Sequence, residues 1–351
     1  MSFIPAIIRL RPRVFQDVVG QEATTRILSN ALIQKRIANS YIFSGPPGTG
    51  KTTIARIFAA GLNCHTDGWK PCGQCDNCMD IASDKFPYVE EVDAASERGV
   101  AMVDDVQKIT NLVVPDGYHR VFILDEAHQL SSKAWAAFLK TIEEPPPSNT
   151  FIFVTTDRHG VSQAVQSRSS NFVFKPIPAA QIVQALSSYD YGVQVEPQAI
   201  ELIARIVNGS LRDAVKLMDQ ALVFGEVTVK SVEDMMGING ESSLRLAKAI
   251  VARDLSGFLN AVSAVSSAGM SYGEISMEML NISRDLMVLA IGWNGLMMSS
   301  IPIEQMRELS KSVNYETANH MYRSFSGLVE GRLIKDRIGV ELYYVKFLHG
   351  L

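Results

Sequence analysis

The segment YIFSGPPGTGKTTIARIF, Tyr41 to Phe58, sets a short apolar run, a glycine-rich loop and an amphipathic stretch in immediate succession. Tyr41-Ile42-Phe43 reads as a buried strand, and the residues from about Lys51 onward carry the apolar spacing of a helix. Between them lies GPPGTGKT, which fits GxxxxGK[ST]. The letters alone arise by chance often enough to prove nothing; a strand before them and a helix after them give them meaning. Gly45, Gly48 and Gly50 let the backbone wrap closely around an anion at the positive end of a helix dipole. The spacing therefore predicts a phosphate-binding loop formed by Gly45, Pro46, Pro47, Gly48, Thr49, Gly50, Lys51, Thr52 and Thr53. Lys51 would neutralise the β and γ phosphates of ATP, and the Thr52 hydroxyl would ligate Mg2+.

Working outward, further apolar or β-branched runs occur at Tyr88–Val92, Val121–Leu124, Phe151–Val154 and Phe172–Phe174, separated by segments of helical length. Strands alternating with helices predict a parallel sheet covered on both faces. After Pro176 and Pro178 the patterning turns helical, with stripes Ile200-Ile203-Ala204-Val207 and Ala214-Leu217-Met218-Ala221. A second break falls at Gly237-Ile238-Asn239-Gly240, and helical segments then run to Leu351. Met277, Met279, Met287, Met297, Met298 and Met306 in that last part read as core filler. The expected class is α/β followed by all-α: an ATPase domain over 1–176, a small helical domain over 177–238 and a larger one over 239–351.

FILDEAHQLSSKAWAAFLKTIEEPPP, from Phe122, contains DEAH, letters shared with helicases. Following a buried strand in a chain with a phosphate loop, Asp125 suits Mg2+ binding, often through water, and Glu126 suits a general base for the attacking water. An acidic pair that merely caps a strand is the plainer alternative.

All four cysteines, Cys64, Cys72, Cys75 and Cys78, fall within NCHTDGWKPCGQCDNC. Without a secretory signal, such clustering favours metal over disulfides. Cx7CxxCxxC supplies four thiolates around turns, as tetrahedral zinc requires, and four protein ligands make a structural site. An iron–sulfur run would need Cys-Pro after Cys78, where Met79-Asp80 stand. The expectation is a zinc module at about residues 62–82, with free thiols as the remaining alternative.

With 351 residues, 47% of them hydrophobic and 20% charged, the chain can bury more than one core and is not disordered throughout. A net charge of −4 excludes a uniformly basic surface, so nucleic acid would have to meet a local patch. No signal peptide or membrane-length apolar run appears, and the cytoplasm is the expected compartment.

The sequence resembles the bacterial DNA polymerase III clamp loader motor subunits, the gamma/tau family of AAA+ ATPases. RPRVFQDVVGQE, the phosphate loop with LNC and the cysteines, LDEAHQLSSKAWAAFLKTIEEPPPSNTFIFVTTD, and GSLRDAVKLMDQAL carry the likeness over the first 222 residues in the family's order. DRIGVELYYVKFL resembles the last helix of the family's collar. The resemblance implies an AAA+ P-loop fold with lid and collar domains and ATP-driven loading of a sliding clamp onto primer–template DNA. Assembly with other loader subunits through the collar, as a pentamer, is implied with it.

It assigns Val18 and Val19 to the adenine pocket, Thr156 or its neighbour Thr155 to sensor 1, and Arg212 to sensor 2. Ser210 and Asp213 form a capping-box-like start that puts Arg212 in a first helical turn. Arg168, in Ser167-Arg168-Ser169, takes the place of a trans-acting arginine finger, with serine where the family has cysteine. Arg98 and Lys108 are weak candidates for DNA phosphates, and 133–139 for clamp contact. The loop reads PPGTG and Leu10 replaces a bulky aromatic, both departures from the usual bacterial pattern. The long tail of tau forms is missing, so a gamma-like length, a phage or divergent version, or a truncated chain is expected. The competing readings are another AAA+ DNA motor, such as a branch-migration ATPase, and a non-hydrolysing scaffold. The cysteine cluster and the complete acidic and P-loop set weigh against them.

Overall fold

The structure, a computed structural model, describes residues 6–66, 70–96, 100–223, 225–236, 240–267, 269–293, 297–330 and 336–349. The described residues group into two compact units, one of 1–190 with 207–219 and one of 191–206 with 220–351. The segment 177–238, read from the sequence as one helical domain, contributes to both.

The first unit opens with α1 (Ala6–Arg9) and α2 (Glu22–Ile33), followed by β1 (Ser40–Ser44), α3 (Lys51–Leu62), α4 (Asp76–Ala82) and β2 (Val89–Asp93). It continues with α5 (Val100–Thr110), β3 (Arg120–Asp125), α6 (Ser132–Glu143), β4 (Asn149–Thr155), α7 (Gln163–Arg168), β5 (Ser170–Val173) and α8 (Ala179–Ser187). The five strands are parallel in the order β2-β3-β4-β1-β5. β1, β3 and β4 are the central strands and almost wholly buried, which is why they read as continuous apolar runs. The edge strands β2 and β5 alternate between half-buried and exposed positions, so their sequences are mixed.

Two apolar layers enclose the sheet. Phe15, Leu28, Ile54, Ile57 and Phe58 pack with Tyr41, Phe43, Val121, Ile123 and Val154 on one face. Met102, Val103, Trp135, Phe138 and Val165 pack with Ile42, Phe122, Leu124, Phe151 and Phe153 on the other. Each aromatic ring so buried stabilises the fold by about 1.5–3 kcal/mol. Phe122 and Phe151, neighbours on adjacent strands, stack with centroids 5.3 Å apart.

The chain continues through α9 (Pro197–Ile206), α10 (Leu211–Leu222) and α11 (Val229–Met236). In the second unit α9 packs with α11, and Val195 bridges Val227. The remaining helices are α12 (Gly240–Ala252), α13 (Leu255–Ser267), α14 (Tyr272–Ala290), α15 (Ile303–Ser310), α16 (Tyr315–Glu330) and α17 (Arg337–His349). They share one core in which Tyr344 stacks on Phe258 at 3.7 Å and its hydroxyl donates to Ala249 O at 2.9 Å. Met279, Met297 and Met306 are buried and Met287 packs against them, but Met277 and Met298 are exposed, contrary to the core-filler expectation for those two. Residues 237–239 of the expected break lie outside the described residues.

Candidate functional site

The phosphate-binding loop follows β1 without a gap. Gly45 accepts a positive φ of 146°, where a Cβ would stand 2.3 Å from Phe174 O, so only glycine fits between the loop and the end of the sheet. Pro46 and Pro47 are exposed, Thr49 is buried and its hydroxyl donates to Pro46 O at 2.9 Å, and Gly50 is left-handed at φ 96°. Gln21, unnoticed in the sequence, braces the loop: its amide donates to Thr49 O at 3.3 Å and to Lys175 O at 2.8 Å.

Lys51, at the first position of α3, is 6% exposed, and its ammonium donates to Gly45 O at 2.8 Å and Pro46 O at 2.7 Å. Burial lowers its pKa, while Asp125 and Glu126 pull it back up. A lysine at a buried helix N-terminus is an unfavourable place for a cation unless an anion completes the site. Thr52 donates to Asp125 Oδ2 at 2.8 Å. β4 lies between β1 and β3, so the phosphate loop and the acidic pair are not on neighbouring strands. The Thr52–Asp125 hydrogen bond spans that gap. Thr53 accepts from Arg11 Nε at 3.4 Å, another contact the sequence reading missed.

Glu126 leaves β3 in the left-handed region, φ 49° and ψ 38°. Thr156 donates to its Oε2 at 3.3 Å, whereas the buried Thr155 hydroxyl donates to Asp157 O at 2.8 Å. Of the two sensor 1 candidates, Thr156 is the one that meets Glu126 through its side chain.

Ser210 accepts from the Asp213 amide at 3.2 Å, capping α10 as its sequence suggested. The Arg212 amide donates to Gly48 O at 3.4 Å, and a Cβ on Gly48 would stand 1.9 Å from Ser210 Oγ. The start of α10 therefore rests directly on the phosphate loop, and Arg212 is exposed. Val18 and Val19 are half-buried, with Val18 against the core beneath the loop. Residues of the loop, Asp125, Glu126, Thr156 and the start of α10 thus form one group.

Arg168 stands apart from that group, in the last turn of α7. Its side chain is 44% exposed, pairs with Glu143 Oε1 at 2.7 Å and donates to Ala164 O at 3.1 Å. Ser169, between α7 and β5, bonds Ser40 Oγ at 2.9 Å and so ties the end of α7 to β1. Lys108 is exposed and paired with Asp105, and Arg98 lies outside the described residues. On α6, Ser132, Lys133 and Ala136 are exposed, while Trp135 and Phe138 face the core.

The four cysteine sulfurs lie within 4.8 Å of one another, with Cys72–Cys78 and Cys64–Cys75 each at 4.0 Å. Tetrahedral zinc with sulfur ligands at about 2.3 Å sets sulfurs about 3.8 Å apart, so the donor set fits. The Gln74 amide, and after it that of Cys75, lower the Cys72 thiol to about 6, whereas burial raises Cys78. Behind the sulfurs, Ala60, Ile81 and Phe86 form a separate small core with Tyr88 and Tyr118.

Residues 20–178 match the family described as DNA polymerase III, delta subunit. Residues 182–227 match the clamp loader subunit ATPase lid domain, and 227–332 match domain III of the gamma and tau subunits. The chain is 37% identical to the tau subunit of Bacillus subtilis over 322 residues, which are 89% of this chain and 57% of that protein. It is 35% identical to the tau subunit of Escherichia coli over 99% of this chain and 56% of that one. The chain thus spans about half the length of these tau subunits. Against the gamma subunit of Buchnera aphidicola it is 32% identical over 80% of this chain and 78% of the other. Among solved structures, the Thermotoga maritima RuvB Holliday junction branch migration motor shares the fold, with a TM-score of 0.50 at 20% identity over 69% of this chain and 79% of that one. Three successive matches to DNA polymerase III subunit families, and a gamma subunit covered over most of its length, have one meaning: the chain belongs to the DNA polymerase III gamma and tau subunit family.

Proposed function

We propose that this chain is the ATP-hydrolysing motor subunit of a DNA polymerase clamp loader, working in the cytoplasm to open a sliding clamp and seat it on primer–template DNA during replication. The observation that carries the reading is the Thr52–Asp125 hydrogen bond, which joins the phosphate loop to the acidic pair in a chain of this family.

In this reading the loop amides and Lys51 bind the triphosphate, Val18 and Val19 face adenine, and Arg212 reaches toward the phosphates from the start of α10. Thr52 and Asp125 would hold Mg2+, which when bound neutralises phosphate charge. Glu126 takes a proton from the attacking water as the γ phosphoryl group leaves ADP, and Thr156 orients that carboxylate. Arg168 of one protomer completes the site of the next. Its exposed pair with Glu143 is worth about 0–1 kcal/mol, so releasing it toward a neighbour's phosphate costs little. Cys64, Cys72, Cys75 and Cys78 hold a structural zinc ion, supported by the spacing of their sulfurs. Three functional domains, 1–176, 177–238 and 239–351, serve as motor, lid and collar, the last joining companion subunits in a pentamer.

ATP hydrolysis by the purified chain with its companion subunits tests the reading, measured with and without sliding clamp and primer–template DNA. Joint stimulation by clamp and DNA is expected. Stimulation by four-way junction DNA alone, with strand movement, would instead make the chain a branch-migration motor.

A further inference from the structure

The Glu126 carboxylate has to be aimed, and the residue that follows it by two is built to aim it. A non-glycine residue in the left-handed region costs about 1–3 kcal/mol and persists only where its surroundings hold it. After Glu126, the short turn Ala127–Gln129 brings His128 back against the end of β4.

The partners of the ring decide where its hydrogen lies. The Thr155 hydroxyl gives its single hydrogen to Asp157 O at 2.8 Å and accepts from the Asp157 amide at 3.0 Å. Toward His128 Nδ1, 3.1 Å away, it can therefore only accept. The Gln129 amide, 3.0 Å from His128 Nε2, donates to that nitrogen. In this bonding pattern the hydrogen sits on Nδ1, and the ring is held at both nitrogens. With its hydrogen given to Thr155, the same Nδ1 lies 3.3 Å from Glu126 Oε2, the oxygen that accepts from the Thr156 hydroxyl at 3.3 Å. Among the described residues no hydrogen bond reaches Oε1. The turn Arg158–Gly160 packs close against the backbone of His128: a Cβ at Gly160 would stand 2.6 Å from His128 Cβ and 3.2 Å from its Cα.

We propose that His128 is a positioning residue for Glu126: the positive end of its Nδ1–H bond, donated to Thr155 but only 3.3 Å from Oε2, acts electrostatically with the Thr156 hydroxyl to hold Oε2 and leave Oε1 as the oxygen presented to water. A general base needs this asymmetry, because an oxygen already accepting hydrogen bonds is the poorer proton acceptor. The inference rests on the reading of Glu126 as that base. It gives the fourth letter of DEAH a task that motif matching does not assign.

Steady-state hydrolysis of ATP by the full chain, with unfolding midpoints measured alongside, compares His128→Ala, His128→Asn and Glu126→Gln with the wild type. Glu126→Gln is expected to lose turnover. His128→Ala is expected to lower kcat about tenfold or more while KM for ATP and the unfolding midpoint stay put. In His128→Asn the side-chain N–H takes the place of Nδ1, and kcat should return to within about threefold of wild type. A full kcat in His128→Ala beside an inactive Glu126→Gln overturns the role of His128 alone. Wild-type turnover in Glu126→Gln overturns the base assignment itself. A loss in His128→Ala that tracks a lowered unfolding midpoint and is not restored by asparagine makes the residue structural and overturns the proposal.

Discussion

Lys51 and Glu126 occupy opposite sides of one electrostatic problem, and their substitutions separate binding from chemistry. Removing the buried ammonium in Lys51→Ala should abolish ATP binding, measured by equilibrium titration, because nothing else at the start of α3 carries positive charge at that depth. Glu126→Gln should retain ATP affinity and lose about a hundredfold or more in turnover. His119 supplies a pH signature unrelated to catalysis. Burial lowers its pKa from 6.5 to about 4, with Thr150 Oγ1 at 2.8 Å as its partner. The unfolded chain therefore binds a proton that the folded chain refuses between those values. Stability is full above pH 6.5 and falls as pH drops toward 4, by up to about 3 kcal/mol. Urea midpoints at pH 7 and pH 5 should differ less in His119→Gln than in the wild type. The residues of the phosphate loop and the acidic pair were legible because their chemistry demands contiguous letters. Gln21, Arg11 and His128 were not, since each acts on a partner that only the folded chain brings near. The choice between Thr155 and Thr156 likewise depends on which way each hydroxyl points, and that changes where the chain leaves β4 after Thr155.

Among the elements, the central strands announced themselves because burial on both faces admits only apolar residues, as in Phe122-Ile123-Leu124 and Phe151-Ile152-Phe153. β5 begins at Ser170 and Asn171, polar residues of a half-exposed edge, so its start could not be read from hydrophobicity. The insertion of β4 between β1 and β3 was equally hidden, because strand order depends on pairing and not on local pattern. The cysteine lobe was legible from spacing alone, and it carries its own test. The purified chain should contain about one zinc ion per molecule by atomic absorption. Chelation, or Cys78→Ser, should lower the unfolding temperature through the small core of Ile81, Phe86 and Tyr118 while ATP affinity stays unchanged. Retained thermal stability after complete metal removal would argue against a structural ion.

At the scale of the whole molecule, the sequence pointed to a sheet-based part followed by helices, and the two compact units keep that order only in part. Residues 207–219, the start of α10 included, belong with the sheet because Ser210 and Arg212 touch Gly48. Assembly supplies the prediction that belongs here. A mixture of Arg168→Ala and Lys51→Ala chains should recover part of the ATP hydrolysis that either lacks alone, because one arrangement of neighbours sets an intact arginine against an intact phosphate loop. Activity that depends on chain concentration would accompany it, whereas full-speed hydrolysis by monomers would remove Arg168 from the reaction. The Arg168–Glu143 pair gives this arm a resting place without a barrier. An exposed pair of this kind keeps the guanidinium at hand beside a carboxylate of its own chain, and a competing anion can draw it away at little cost, so the arm is parked and not locked.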